Sequence, residues 1–170
     1  MKGGDPYVFG RGHEELEYAV RRGVKAEVIP GLSSALAGPA SVGIPVTKRG
    51  VNESFWVITG MLASGEFSRD VALAAQSSAT VVILMGMTHL EAISKIFCEG
   101  RSVLEPIAVI QHASLPQQRT IVGTVSTISK LVEEQQISSP AVIVIGKVVN
   151  ECNILELVKH GLETRVNGLR

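Results

Sequence analysis

Two kinds of apolar pattern alternate along the chain. Apolar residues dominate Thr80–Met85, Ala141–Val149 and Ser54–Thr59. Such runs read as strands covered on both faces. Between them, apolar positions recur three and four residues apart, which is the spacing of a helix with one buried face. The pattern predicts helices over His13–Arg22, Ser34–Val42, Phe67–Gln76 and Leu90–Glu99, and from a Ser126 or Thr127 cap to Gln135. It predicts strands at Lys25–Ile29, Ser54–Thr59, Thr80–Met85, Pro106–Ile110, Arg119–Val125 and Ala141–Val149. Gly23 and Gly100 stand where helices stop, and Ser33 stands where one is capped. Pro39 falls inside the second predicted helix, where its missing N–H kinks or shortens it. Ile154, Leu155, Leu157 and Val158 fit a terminal helical turn.

Strands buried on both faces and alternating with helices imply an α/β fold with a mixed, mostly parallel sheet. Arg119–Val125 follows its preceding strand without a helix, so one antiparallel pair is expected there. The chain opens on a glycine-rich loop, Gly3–Gly12, with no strand before it. In α/β folds such loops follow the carboxyl end of a strand. One strand and two helices are too few to make a sheet. The expected organisation is therefore a C-terminal remainder of a first α/β domain (1–44), a complete second α/β domain (45–150) and a tail (151–170).

Composition narrows the function. The chain has 170 residues, 45% of them hydrophobic, which is enough for a sizeable core. Lys plus Arg and Asp plus Glu number 16 each, so net charge is zero. Zero charge argues against general nucleic-acid or anionic-membrane binding. Aromatics at 4% argue against a base-stacking platform. No apolar run approaches the length of a membrane span, and Met1–Pro6 lacks the apolar region of a signal peptide. Cys98 and Cys152 form neither a redox pair nor a metal spacing, which suits a reducing cytoplasm.

The candidate chemistry sits at loop and strand ends. In Lys2-Gly3-Gly4-Asp5-Pro6, paired glycines let a ligand approach the backbone, and Asp5 offers a carboxylate to a hydroxyl or a cation. The same residues are ordinary turn chemistry, and the nucleotide-binding glycine fingerprints are not matched. Gly10-Arg11-Gly12 before Glu14-Glu15 fits a loop entering a helix N-terminus. Ser33 and Ser34 follow Val28-Ile29-Pro30-Gly31 and either cap a helix or donate to a polar ligand. Met85-Gly86-Met87 ends a buried strand, where α/β ligands bind, although methionine also fills cores. His112, after another strand, is a general-base candidate or a bystander. No catalytic triad and no cluster of metal ligands is present in the pattern.

Together these segments resemble the tetrapyrrole methylase family. The likeness runs through Lys2–Glu15, Val28–Ala35, Gly43-Ile44-Pro45-Val46-Thr47-Lys48-Arg49-Gly50, Met85-Gly86-Met87, Gln118-Arg119 and Ser139–Gly146. The Val-Phe-Gly-Arg-Gly continuation, Val8–Gly12, is similar to members that act on uroporphyrinogen III. The resemblance implies S-adenosyl-L-methionine as methyl donor and S-adenosyl-L-homocysteine as its product. The acceptors would be two pyrrole carbons of uroporphyrinogen III, giving precorrin-2 for sirohaem and cobalamin. It implies a cytoplasmic homodimer with a cofactor cleft between two domains. By the same resemblance Gly3, Gly4, Asp5, Val8, Ser33, Ser34, Met85 and Ala113 hold the cofactor. Ser34 and Ala113 depart from the residues common in the family. Arg11, Lys48 and Arg49 are cations for a substrate with many carboxylates. The family's proton-transfer residues are expected in an N-terminal third absent here. This chain alone is therefore expected to be weakly active or inactive, with its catalytic residues unassigned. A non-catalytic cofactor- or tetrapyrrole-binding remnant and a dimerising fragment are the alternatives.

Overall fold

The computed structural model describes residues 3–152; the expected terminal turn at 154–158 lies outside them. Five strands form one sheet in the order β1-β2-β5-β3-β4. They are β1 Phe55–Thr59, β2 Thr80–Leu84, β3 Pro106–Gln111, β4 Arg119–Thr124 and β5 Ala141–Ile145. The helices are α1 Gly12–Arg21, α2 Ser34–Ser41, α3 Asp70–Ala75, α4 Leu90–Gly100 and α5 Ile128–Glu134.

The inner strands β2, β3 and β5 are almost wholly apolar because both faces are covered, and alternate residues enter different cores, whereas the outer strands β1 and β4 are partly exposed. Val81, Ile83, Ile107, Val109, Ile143 and Ile145 meet α3, α4 and α5 through Val71, Ile93, Phe97 and Ile128. Val82, Ala108, Ile110, Val142 and Val144 meet Ala35 of α2, Ile44, Val148 and Val149 on the other face. Arg101 closes the end of α4. Its guanidinium pairs with Glu105 at 2.8 Å and donates to the carbonyls of Ala74 and Ala79.

The mixed α/β sheet is as expected, but the balance of pairings is not. Only β1 and β2 pair in parallel; β2–β5, β5–β3 and β3–β4 are antiparallel. The strands joined through a helix, β1 to β2, β2 to β3 and β4 to β5, do run the same way. However, β5 inserts between β2 and β3, and β3 stands between β5 and β4. An apolar run reports burial on both faces and carries no information about the direction of the neighbouring strand.

Four further expectations are corrected. Lys25–Ile29 forms no strand. No second strand lies beside it among the described residues, and an extended segment without a partner gains no ladder. The helix expected from Phe67 begins only at Asp70, because Phe67 pairs instead with Met61 in an isolated bridge. The run Ala141–Val149 is divided. The strand ends at Ile145, Gly146 turns at φ 144°, and Lys147–Glu151 forms a 3-10 turn. Thr80–Met85 loses its last residue, since Met85 adopts φ 55°. Pro39 does lie within α2, whose N-terminus is capped by Ser33 Oγ accepting from the Ala35 N–H at 3.2 Å.

Candidate functional site

The carboxyl ends of β1, β2 and β3 and the start of β5 open on one side of the sheet, facing the loop of residues 3–12. The strand ends meet tightly there. The Gly60 N–H donates to the Leu84 carbonyl at 2.7 Å, and a Cβ on Gly60 would stand 2.5 Å from Gly86 Cα. No larger residue fits without displacing backbone.

The facing loop is folded onto itself. Gly12 N–H donates to the Pro6 carbonyl at 2.8 Å, and a Cβ on Gly12 would lie 2.5 Å from that oxygen. Asp5 clasps the loop to Pro30-Gly31. Its Oδ1 accepts from the Tyr7 N–H at 2.8 Å and its Oδ2 from the Gly31 N–H at 3.1 Å. The Tyr7 and Gly31 amides hold this carboxyl below its ordinary value. Gly31 in turn lies so close that a Cβ would meet the Gly4 carbonyl oxygen at 2.4 Å. The loop runs into α1 through Arg11, whose guanidinium pairs with Glu14 at 2.6 Å. That hydrogen bond and charge favour the charged form of Arg11 still further.

Two cavities adjoin between loop and sheet. One, of about 500 Å³, is bounded by Val8 and Ser34 on one side and by Met85, Met87, His112 and Ala113 on the other. The second, of about 840 Å³, lies between Tyr7, Arg11 and His13 and the β1–α3 segment carrying Thr59, Met61 and Leu62. Phe9 and Met85 line both. Four non-glycine residues in these walls, Phe9, Arg11, Met85 and His112, have φ between 49° and 57°. Left-handed backbone at non-glycine residues is unfavourable and collects at ligand-binding sites.

Val8, Ser34, Met85 and Ala113 thus share the smaller cavity, and Arg11 lies in the larger. Gly3, Gly4, Asp5 and Ser33 line neither. Gly4 and Asp5 shape the loop, and Ser33 spends its hydroxyl as a helix cap. Lys48 and Arg49 are not brought to either cavity. Lys48 pairs with Glu151 at 2.6 Å, next to the turn that follows β5, and Arg49 is exposed beside it. That turn leaves β5 at the end of the sheet opposite the cavities. Phe9, Thr59, Met61, Leu62 and the cis Ser139–Pro140 peptide complete the walls and were not among the site residues expected from the sequence. The sequence signal that would have found Phe9 is its place inside the loop motif itself.

Residues 1–129 match the family described as Tetrapyrrole (Corrin/Porphyrin) Methylases. The chain belongs to the tetrapyrrole methylase family. Among its relatives is a uroporphyrinogen-III C-methyltransferase of Methanocaldococcus jannaschii, 43% identical over 152 residues. That alignment covers 88% of this chain and 63% of the relative. An S-adenosyl-L-methionine-dependent uroporphyrinogen III methyltransferase of Methanosarcina barkeri is 40% identical, with 96% of this chain and 65% of that protein covered. A solved uroporphyrin-III C-methyltransferase from Thermus thermophilus, complexed with S-adenyl homocysteine, superposes with a TM-score of 0.74 at 33% identity. It covers 86% of this chain and 64% of its own. The tetrapyrrole methylase match spans slightly under two thirds of each relative's length.

Proposed function

We propose that this chain is the cofactor- and substrate-facing part of an S-adenosyl-L-methionine-dependent uroporphyrinogen-III C-methyltransferase. The observation that carries the reading is the pair of adjoining cavities joined through Phe9 and Met85. Methyl transfer needs two ligands held with their reacting atoms in line, and catalysis is then mostly positioning and charge control. A small pocket opening into a larger one through two shared side chains suits that demand.

The smaller cavity fits the methyl donor by size and chemistry. Its volume of about 500 Å³ falls within the range of small-ligand sites, and its walls are largely apolar. Ser34 and Ser139 supply hydroxyls. The main-chain N–H groups of Met85 and Ala113 have no partner among the described residues, so they remain as donors at the strand ends. When bound, S-adenosyl-L-methionine supplies the methyl group. Val8, Met85 and Ala113 would hold it at the floor, and Phe9 and Met85 would exclude water at the junction. Gly3, Gly4, Asp5 and Ser33 would act at one remove by fixing the loop and α2. Arg11 would bind a carboxylate of the larger tetrapyrrole, and Lys48 and Arg49 would serve only a substrate that reaches the far edge or a second subunit. Homodimerisation and the division at residues 44 and 150 belong to the same reading.

The test is calorimetric titration of the chain with S-adenosyl-L-homocysteine. It is followed by an absorbance assay for precorrin-2 from S-adenosyl-L-methionine and uroporphyrinogen III. Micromolar binding supports the assignment of the smaller cavity. No binding at millimolar ligand would overturn it and leave this chain without a working cofactor site.

A further inference from the structure

The smaller cavity takes part of its wall from the start of α2, with Ser34, and part from the loop between β3 and β4, with His112, Ala113 and Leu115. That loop is not relaxed. His112 and Ser114, on either side of Ala113, have φ of 49° and 68°. Such backbone at non-glycine residues persists only where its surroundings over-determine it. Main-chain bonds supply part of the restraint. The His112 N–H donates to the Pro140 carbonyl at 3.1 Å, and the Leu115 N–H to the His112 carbonyl at 3.0 Å.

Gln118 supplies the rest. Its N–H donates to the Leu115 carbonyl at 2.9 Å, and its side-chain Oε1 accepts from the Ser114 N–H at 2.6 Å. A main-chain N–H can only donate, so this contact fixes which end of the side-chain amide turns toward the loop. The same oxygen stands 2.9 Å from Ser41 Oγ, the last residue of α2. Ser41 Oγ also lies 2.7 Å from the Gly38 carbonyl, so its one hydroxyl proton is shared between two acceptors. Gly38 brings α2 against the same loop: a Cβ built there would touch Ala113 Cβ at 3.6 Å. Half-buried at this junction, Gln118 lines neither cavity. One side-chain oxygen thus ties the loop that carries Ala113 to the helix that carries Ser34. Its neighbour Arg119 turns away, donating to the Gln135 carbonyl at 2.7 Å.

We propose that Gln118 is a positioning residue for the methyl donor, holding the Ala113 and Ser34 walls of the smaller cavity in register through its side-chain oxygen. This rests on the methyltransferase reading above. Without that acceptor the Ser114 amide loses its partner, and the loop spends part of its time in other conformations. Ligand affinity then falls by the fraction of molecules that remain competent. The loss of one neutral hydrogen bond sets the scale at about fivefold.

The experiment compares the chain with Gln118→Leu, which removes the acceptor, and Gln118→Glu, which keeps it. Calorimetry measures S-adenosyl-L-homocysteine affinity, hydrogen exchange measures protection of the Ser114 amide relative to an unstructured peptide, and urea denaturation measures global stability. Gln118→Leu should bind about fivefold more weakly and lose protection at Ser114 with its urea midpoint unchanged. Gln118→Glu should restore both the affinity and the protection. Unchanged affinity in Gln118→Leu, or a Gln118→Glu as weak as Gln118→Leu, would overturn the role of Gln118 and leave the proposed function standing. A lowered urea midpoint in Gln118→Leu that Gln118→Glu does not recover would overturn it in favour of general support of the fold. An unaltered chain that protects Ser114 but binds no S-adenosyl-L-homocysteine would overturn the methyltransferase reading, and this role with it.

Discussion

The two walls of the site are held by different forces. The wall from the sheet, residues 55–149, stands on two apolar cores in which Val81, Val82, Ile83, Val109, Ile143 and Val144 are fully buried. The wall from residues 3–33 has almost no core. Gly12 is the one buried residue of α1, and Tyr18, Val20, Ile29 and Leu32 are more than half exposed. Its shape comes from backbone contacts that only glycine permits and from the Asp5 clasp. Apolar burial resists opening as a unit, whereas a few exposed hydrogen bonds open locally at little cost. The ligand would therefore meet one rigid surface and one that it must help to order.

The comparison is tested most severely in the sheet. Phe97 is fully buried between α4 and the sheet, so Phe97→Ala should lower unfolding free energy by about 3–5 kcal/mol. Urea denaturation measures it; a loss below 1 kcal/mol would mean that the core has been misread. A paired substitution then separates the two walls. Gly60→Ala forces a Cβ to 2.5 Å from Gly86 Cα, and should cost about 1–3 kcal/mol of global stability. Gly31→Ala makes an equally close approach, 2.4 Å from the Gly4 carbonyl, but in the weakly packed wall. It should leave the unfolding free energy within about 0.5 kcal/mol of the unaltered chain while weakening S-adenosyl-L-homocysteine binding. Equal destabilisation by the two changes would erase the distinction.

Hydrogen exchange sharpens it further. Amides of β2 and β5 should exchange only through global unfolding, while those of residues 25–30 should exchange almost at the rate of an unstructured peptide. Protection at Val28 or Ile29 comparable to that of Ile143 would contradict the unpaired backbone there. The smallest effect belongs to pH. The Asp5 carboxyl is held below 3.8 by the Tyr7 and Gly31 amides. A lowered folded value means that the clasp contributes fully above pH 4 and is lost as pH falls through that lowered value. The protection of the Tyr7 and Gly31 amides, relative to an unstructured peptide at the same pH, should therefore fall at acid pH before that of β2 changes, and Asp5→Asn should show the lowered protection at neutral pH.

Much of the fold was readable because burial and helical spacing leave a direct mark on residue type. The strands at Phe55–Thr59, Pro106–Gln111 and Arg119–Thr124 lie within a residue of their expected ends. The cap at Ser33 and the stops near Gly23 and Gly100 follow from local chemistry that a few neighbours decide. The candidate site was legible where a motif ends a strand or opens a loop, as at Val8, Met85 and Ala113. It was not legible for Thr59, Met61 or Leu62, whose place in the larger cavity depends on how the β1–α3 segment folds back through the Met61–Phe67 bridge.

By itself, then, the sequence determined which segments are helical or extended, which are apolar on both faces, and which family they resemble. Each of these rests on interactions within a few residues or on the burial of a side chain, and both are written in residue type. Tertiary structure alone decided that β5 inserts antiparallel between β2 and β3 and that Lys25–Ile29 remains unpaired. It alone drew Arg11 and His13 to one cavity while sending Lys48 to Glu151. Those outcomes depend on which surfaces meet, and a backbone hydrogen bond or an ion pair across distant segments is not specified by the residues on one side of it.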